Sequence, residues 1–233
     1  MEPLDLPAHY ARVRASLIDL AASITDAQAN TIVPASPEWT VRDVFAHLAG
    51  SNADVLAGRL DGVTTDPWTQ RQVEERSDLS LFEIASEWSS HAPAIDALLE
   101  QLGDAMDVRL YIDQWTHAQD IAAALGHPLE RDLQFVTWLG QISASTMVAR
   151  AAKRAPGPIS IAHGGVTTGD IGDADVWAEL TTDDFTLGRV LVGRRSAAQL
   201  NKLDWRTEGA EPSDWFSSMV VFSISDDDIA DLE

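Results

Sequence analysis

The chain has 233 residues, enough for one large domain or two modest ones, and 45% of them are hydrophobic, as in proteins with a buried core. Acidic residues outnumber basic residues by 37 to 16, which gives a formal net charge of −21. Such a surface repels nucleic acid and anionic lipid, so we expect neither as a partner. The absence of cysteine excludes a disulfide, a cysteine-ligated zinc site and a cysteine nucleophile.

Two features bear on location. No apolar run approaches the ~20 residues that a membrane-spanning helix needs. The first residues, Met1–Asp5, lack the basic and apolar regions of a signal peptide. We therefore expect a cytoplasmic protein that does not associate with membranes.

The first two-thirds of the chain has the apolar spacing of helices. Capping boxes predict helix starts at Thr40–Asp43 and Ser80–Glu83, and Gly126 predicts a helix end. Pro93 lies inside the third predicted helix and is expected to kink or interrupt it, and 61–78 is expected to be at least partly loop. The predicted helices cover residues 9–24, 40–60, 80–102, 106–125 and 129–154.

The Pro-Gly-Pro tripeptide at 156–158 is the strongest predicted boundary in the chain. After it, short β-type runs alternate with Gly-rich turns and helical segments, a pattern typical of an α+β domain. We therefore predict a helical domain over 1–156 and a small α+β domain over 157–233. The predicted strands lie at 159–161 and 176–180, and the predicted helices at 184–195 and 214–222.

Asp113 and His117 lie four residues apart on a predicted helix. Residues with this spacing share a helix face, so the carboxylate and the imidazole can ligate one metal ion. His47 lies mid-helix on a partly apolar face and can supply a third ligand from a second helix. This set suits zinc, iron(II) or nickel and leaves coordination positions open, as in catalytic zinc sites. The alternative is that each histidine is an ordinary core or surface residue.

Three further features allow two interpretations each. Arg194 and Arg195 form a basic pair that is either a solvated helix end or a site for an anionic substrate. Asp120 is either a hydrogen-bond acceptor for His117 or an exposed helix carboxylate. His9, near the start of the chain, is expected to be exposed rather than functional.

Several common motifs are absent or incomplete. The chain has no G-x-S-x-G elbow, so a serine hydrolase is not expected. It also has no G-x-G-x-x-G and no P-loop, so nucleotide binding has no support. Asp170, Asp173 and Asp175 do not fit the EF-hand pattern and are expected to form a turn.

Two motifs resemble those of the mycothiol-dependent maleylpyruvate isomerase family, which belongs to the DinB/YfiT-like superfamily. Residues 37–48, PEWTVRDVFAHL, resemble the family's W-T-V-x-D-V-x-A-H-L opening. Residues 113–126, DQWTHAQDIAAALG, resemble its E-x-W-x-H-x-x-D-x-x-x-A-L-G. The stretches 72–88 and 192–195 are also similar, so the resemblance covers most of the chain.

The resemblance implies an α+β fold, with an N-terminal DinB-like up-down four-helix bundle and a small C-terminal α+β domain. It also implies a zinc ion bound by His47, Asp113 and His117, together with mycothiol or a similar thiol as cofactor. Asp113 departs from the family pattern, in which the carboxylate is a glutamate. Because its side chain is one methylene shorter, the metal can sit differently, bind more weakly or be another ion.

The implied function is that of a metal- and thiol-dependent transferase or isomerase acting on a small electrophile. A metal ion lowers the pKa of a thiol that it binds, and the thiolate then attacks an electrophilic carbon. Two alternatives come from other classes: a metal-dependent hydrolase or lyase that uses metal-bound water, and a non-catalytic binding protein on the same bundle. The expected partners are small molecules, and the expected assembly is a monomer or a homodimer.

Overall fold

A computed structural model describes residues 4–129, 131–169, 176–207, 211–217 and 219–232. These residues form an α+β protein that is mainly helical and has a small sheet region. They divide by packing into an N-terminal unit, made mainly of Asp5–Glu130, and a C-terminal unit, made mainly of Arg131–Ala230. No helix within the described residues is long and apolar enough to cross a membrane.

The N-terminal unit consists of helices and one short antiparallel hairpin, β1 (Ile32–Val33) and β2 (Ser36–Thr40). Its helices are α1 (Leu6–Ser23), α2 (Asp26–Ala29), α3 (Val41–Ala57), α4 (Asp66–Glu74), α5 (Leu81–Leu102) and α6 (Arg109–Leu125).

The helix ends in this unit follow local chemistry. At the starts of α3 and α5, the side chains of Thr40 and Ser80 accept hydrogen bonds from backbone N–H groups, and the acidic residue three positions later bonds back. This reciprocal arrangement satisfies donors that a helix start otherwise leaves unpaired. Gly126 ends α6 in the left-handed region, with a φ of 61°, which glycine adopts without steric cost. Both predicted starts and this predicted end are confirmed.

The core of the N-terminal unit forms where α3 packs against α4, α5 and α6, and where α1 packs against α5 and α6. Leu17, Phe45, Trp88 and Ile121 are almost completely buried in it. The Phe45 and Trp88 rings meet edge to face, with centroids 6.2 Å apart. Because α3 has helical neighbours on several sides, even its polar residues near Phe45 face the interior.

Two features of this unit go beyond what the sequence predicted. α5 continues through Pro93 without a break, because its buried face is packed against α1 and α3 over most of its length. Tertiary contacts of this kind outweigh one lost backbone hydrogen bond. The polar segment 61–78, expected to be at least partly loop, contains the two-turn helix α4.

The C-terminal unit combines helices with one sheet of strand order β4-β3-β5-β6, in which β3 and β5 are parallel and the other pairs antiparallel. The strands predicted near 159–161 and 176–180 correspond to β3 and β5. The elements are α7 (Leu133–Ala151), β3 (Ile159–His163), β4 (Val166–Gly169), β5 (Ala178–Thr181), α8 (Asp184–Leu191), α9 (Ala197–Asn201), β6 (Asp204–Thr207) and α10 (Pro212–Phe216).

The packing divides the chain earlier than the division predicted at 156–157. α7 packs against α8, β3 and β4, so it groups with the sheet rather than with the preceding helices. The change from helical to mixed structure does occur near Pro156–Pro158, between α7 and β3. The helix predicted over 214–222 is shorter, since α10 ends at Phe216. The turn predicted at Asp170, Asp173 and Asp175 lies outside the described residues.

Asp184, at the start of α8, is held in a close-packed polar contact. Its Oδ1 lies 2.7 Å from Nδ1 of the buried His163 at the end of β3. Gly140 in α7 and Gly164 after β3 both approach its carboxylate so closely that a Cβ at either position would overlap it. The absence of side chains at these two glycines therefore allows α7, α8 and the β3–β4 turn to meet.

We expect Gly140→Ala to lower the free energy of unfolding by about 1–3 kcal/mol, because the added methyl group overpacks this contact. Urea denaturation measures the change, with Ser145→Ala on the exposed face of α7 as the control. Glycine-to-alanine changes within a helix normally stabilise by up to about 1 kcal/mol. A stability equal to or above the wild type would show that α7 and α8 do not pack this closely.

Candidate metal centre

The structure brings His47 of α3 together with Asp113 and His117 of α6. One potential ligand atom from each residue lies within 4.8 Å of the others. His47 Nε2 is 3.2 Å from Asp113 Oδ2, and His117 Nε2 is 3.6 Å from Asp113 Oδ1. The two imidazole centroids are 5.0 Å apart. The predicted convergence of the three side chains is therefore present, while metal binding by them stays a prediction.

The cluster is enclosed on one side and accessible on the other. The side chains of His47 and His117 are only 2% and 8% exposed, whereas that of Asp113 is 34% exposed. Trp39 packs against both histidines, with ring centroids 5.2 Å from His47 and 6.1 Å from His117. A small molecule approaching the cluster would meet it at the Asp113 side.

The hydrogen-bond partner of His47 and the nearest acidic neighbour of His117 indicate which nitrogen of each ring faces Asp113. His47 Nδ1 lies 2.7 Å from the carbonyl Oε1 of Gln72, and His117 Nδ1 lies 3.4 Å from Asp120 Oδ2. Both partner atoms are acceptors, which favours a proton on each Nδ1 and leaves a lone pair on each Nε2.

With these tautomers, two Nε2 lone pairs point toward one carboxylate. Facing acceptors repel one another unless positive charge lies between them. A single cation bound by His47, Asp113 and His117 satisfies both contacts at once. Two imidazoles and a carboxylate are also ligands that zinc accepts, so the donor set fits a divalent metal.

Asp120 is buried, with a side chain that is 0% exposed, and its carboxylate faces His117. The alternative of a solvent-exposed helix carboxylate is therefore excluded. The expectation that His9 is exposed is wrong, since it is only 2% exposed. The reason is that α1 begins at Leu6, before the predicted start, so His9 lies on the buried face of that helix.

Polar residues that sequence reasoning did not identify lie behind His47. Gln72 of α4 bonds to His47 on one side and, through Nε2, to Asp54 Oδ2 at 2.7 Å on the other. Asp54 also accepts hydrogen bonds from Arg59 Nε at 2.6 Å and from Arg71 at 2.8 Å. No local pattern marks this network, because it joins residues near the end of the second predicted helix to residues of the segment 61–78, which was expected to be at least partly loop.

Two tryptophans near the cluster also went unassigned. Trp68 lies 6.5 Å from His47 between ring centroids, and its indole N–H donates to the Arg59 carbonyl at 3.0 Å. Trp39 belongs to the same sequence motif as His47, residues 37–48, and this shared motif is the one local indication that the two side chains lie close together.

Arg194 and Arg195 belong to the C-terminal unit and are half-buried. Arg194 donates to the carbonyl of Val192 at 3.2 Å, and Arg195 donates to the carbonyl of Arg194 at 2.7 Å. Their predicted binding of an anionic substrate stays a prediction.

Tyr10 of α1 lies in the interior close enough to Asp113 to feel its charge. The phenol is 1% exposed, and its hydroxyl donates to Asn52 Oδ1 at 3.0 Å. Burial, and secondarily the charge of Asp113, raises the pKa of Tyr10 well above its ordinary value of 10.0. The folded protein therefore keeps this proton where an unfolded chain loses it.

This pKa shift predicts a loss of stability at alkaline pH. The contribution is complete below about pH 10 and declines above it by about 1.4 kcal/mol per pH unit for one such group. Urea unfolding from about pH 8 to about pH 11 should show a steeper decline in the wild type than in Tyr10→Phe. Equal slopes would mean that Tyr10 ionises in the folded protein.

Comparison with known proteins supports the family assignment. Residues 10–130, more than half of the chain, match the family model described as the mycothiol maleylpyruvate isomerase N-terminal domain. The matched region contains both motifs and all three residues of the cluster. No match was found among curated proteins or among solved structures. The chain therefore belongs to the mycothiol maleylpyruvate isomerase family, which it matches through that family's N-terminal domain.

Proposed function

We propose that this protein is a metal-dependent transferase or isomerase that uses mycothiol or a similar low-molecular-weight thiol on a small electrophile. The observation that carries the proposal is the convergence of His47, Asp113 and His117, with both Nε2 atoms directed at the carboxylate. Membership of the family supports the thiol and the reaction class. Zinc is the proposed metal because its usual ligands match this set.

The proposed scaffold is the DinB-like up-down four-helix bundle, formed by α1, α3, α5 and α6. The contacts of α3 with α5 and α6, and of α1 with the same two helices, support this assignment. Such a bundle places the ligands of one ion on facing helices, which is how bundle proteins commonly build metal sites. Here α3 and α6 supply them.

The residues of the cluster suit a reaction with an anionic sulfur nucleophile. When bound, a divalent metal ion lowers the pKa of a thiol ligand and thereby supplies thiolate near neutral pH. Asp113 contributes one negative charge and the neutral histidines none, so the protein neutralises only part of the charge of the metal. The thiol must come from outside the protein because the chain has no cysteine.

The surroundings of the cluster support the same reaction. Trp39 and Trp68 lie beside His47 and limit the access of water from that side. The more exposed Asp113 leaves an approach for thiol and electrophile. Within the C-terminal unit, we propose Arg194 or Arg195 as the residue that binds an anionic substrate group, since a guanidinium pairs well with a carboxylate.

The purified protein should contain about one divalent metal per chain, measured by elemental analysis. His117→Ala should lose most of this metal, because a two-ligand site holds zinc weakly. His127→Ala is the matched control, since His127 is an exposed residue just after α6. Asp113→Glu, which restores the family's residue, should bind metal at least as tightly as the wild type. Equal metal content in His117→Ala and the wild type would refute this ligand set.

Turnover should require both metal and thiol. Mycothiol with maleylpyruvate tests the isomerase reaction, and mycothiol with 1-chloro-2,4-dinitrobenzene tests transfer. Omitting the thiol or removing the metal with a chelator should each abolish the reaction, and restoring zinc should recover it. Thiol-independent turnover would replace this proposal with a metal-dependent hydrolase or lyase. A metal-loaded protein inactive on every electrophile tried would favour a binding protein.

A further inference from the structure

We propose that Gln72 is a positioning residue that selects which nitrogen of His47 faces the ligand cluster. Gln72 lies on α4, outside the helices that carry the candidate ligands. It joins His47 to the buried carboxylate of Asp54 through two short hydrogen bonds. The selection of the nitrogen follows from the contacts alone, whereas its value for metal binding rests on the proposed function.

The orientation of the Gln72 amide follows from Asp54. An ionised carboxylate can only accept hydrogen bonds, so the atom 2.7 Å from Asp54 Oδ2 must be the amide nitrogen, Nε2. The amide carbonyl, Oε1, is thereby turned toward His47 Nδ1, also at 2.7 Å. A carbonyl accepts but does not donate, so Nδ1 must carry the proton. His47 Nε2 is left with its lone pair facing Asp113.

Asp54 is suited to impose this orientation because it is both charged and fully buried. Its side chain is 0% exposed and forms ion pairs with Arg59 at 2.6 Å and Arg71 at 2.8 Å. A buried carboxylate left without such partners would be strongly destabilising, so these contacts persist in the folded state. A reversed Gln72 amide would place its carbonyl against this carboxylate, which is electrostatically unfavourable.

The position of Gln72 is fixed by close packing as well as by hydrogen bonds. A Cβ at Gly50 of α3 would lie 2.5 Å from Gln72 Cβ, so α4 approaches α3 directly beside His47. Arg76, two residues beyond the end of α4, donates to the Gln72 carbonyl at 3.0 Å. Arg76 also pairs with Glu87 of α5 through two hydrogen bonds of 2.6 and 2.9 Å. These contacts hold the backbone at Gln72 in place, which limits the positions that its side chain can reach.

The first experiment reads the tautomer of His47 directly in the metal-free protein. Nitrogen chemical shifts from NMR distinguish the two tautomers, at a pH well above the ordinary imidazole pKa of about 6.5. The wild type should show His47 protonated on Nδ1. Gln72→Met, which preserves length but removes both hydrogen-bonding groups, should shift His47 toward the other tautomer or a mixture. A wild-type His47 with a proton on Nε2 and none on Nδ1, or no change in the variant, would overturn the proposal.

The second experiment measures affinity for zinc by competition with a chromophoric chelator. Gln72→Met should bind zinc about 10- to 100-fold more weakly, the usual effect of removing a partner that orients a metal-binding histidine. Gln72→Glu keeps an acceptor for His47, so its affinity should fall less, although it disturbs Asp54 and should lower the urea midpoint. Gln70→Met is the matched control, because Gln70 is exposed on the same helix, where it donates to Glu74 at 3.3 Å.

The two readouts separate this proposal from the proposed function. If the wild type binds no zinc but His47 has the expected tautomer, the metal-dependent function fails and the positioning role of Gln72 stands. If the wild type binds zinc and Gln72→Met binds it equally well, the positioning role fails and the metal site stands. A merely structural role for Gln72 would lower the urea midpoint of both variants without separating their zinc affinities.

Discussion

The approach of α3 to α6 is the constraint on which the other features of the candidate site depend. It brings the rings of His47 and His117 to 5.0 Å between centroids and places Asp113 against both. The apolar core around α3 holds the helices at this separation, because large side chains such as Phe45 and Trp88 are almost completely buried between them. Polar groups concentrated in such an interior must be satisfied by one another or by a bound cation.

Each histidine is supported from behind by a different kind of acceptor. Gln72 presents a neutral carbonyl to His47, whereas the buried carboxylate of Asp120 faces His117. Asp54 acts on the cluster through Gln72, because it fixes the orientation of the Gln72 amide. Its own buried negative charge is balanced by ion pairs with two partly exposed arginines. On the His47 side, the polar contacts therefore run outward from the histidine to Gln72, then to Asp54, and then to the two arginines.

Local signals predicted the parts of this arrangement that lie within one helix. The i, i+4 spacing of Asp113 and His117 placed both on one face of α6, and the Thr40–Asp43 capping box predicted the start of α3 six residues before His47. At Pro93 packing overrode one local preference, since α5 has no break there, whereas the alternative of a kink stays a prediction. The sequence predicted α7 as a helix. It did not show which elements α7 packs against, and these are α8 and the sheet.

The sequence by itself determined which residues can be ligands, which helix faces they share, the family to which the chain belongs and the absence of a cysteine thiol. These properties depend on residue type, on short motifs and on the helical repeat, all of which are local. Only the tertiary structure decided that Gln72, Asp54 and Trp68 stand around His47, and that Asp120 is buried against His117. These contacts join residues of different helices or depend on burial, and both are set by how side chains fill the core rather than by any periodic pattern.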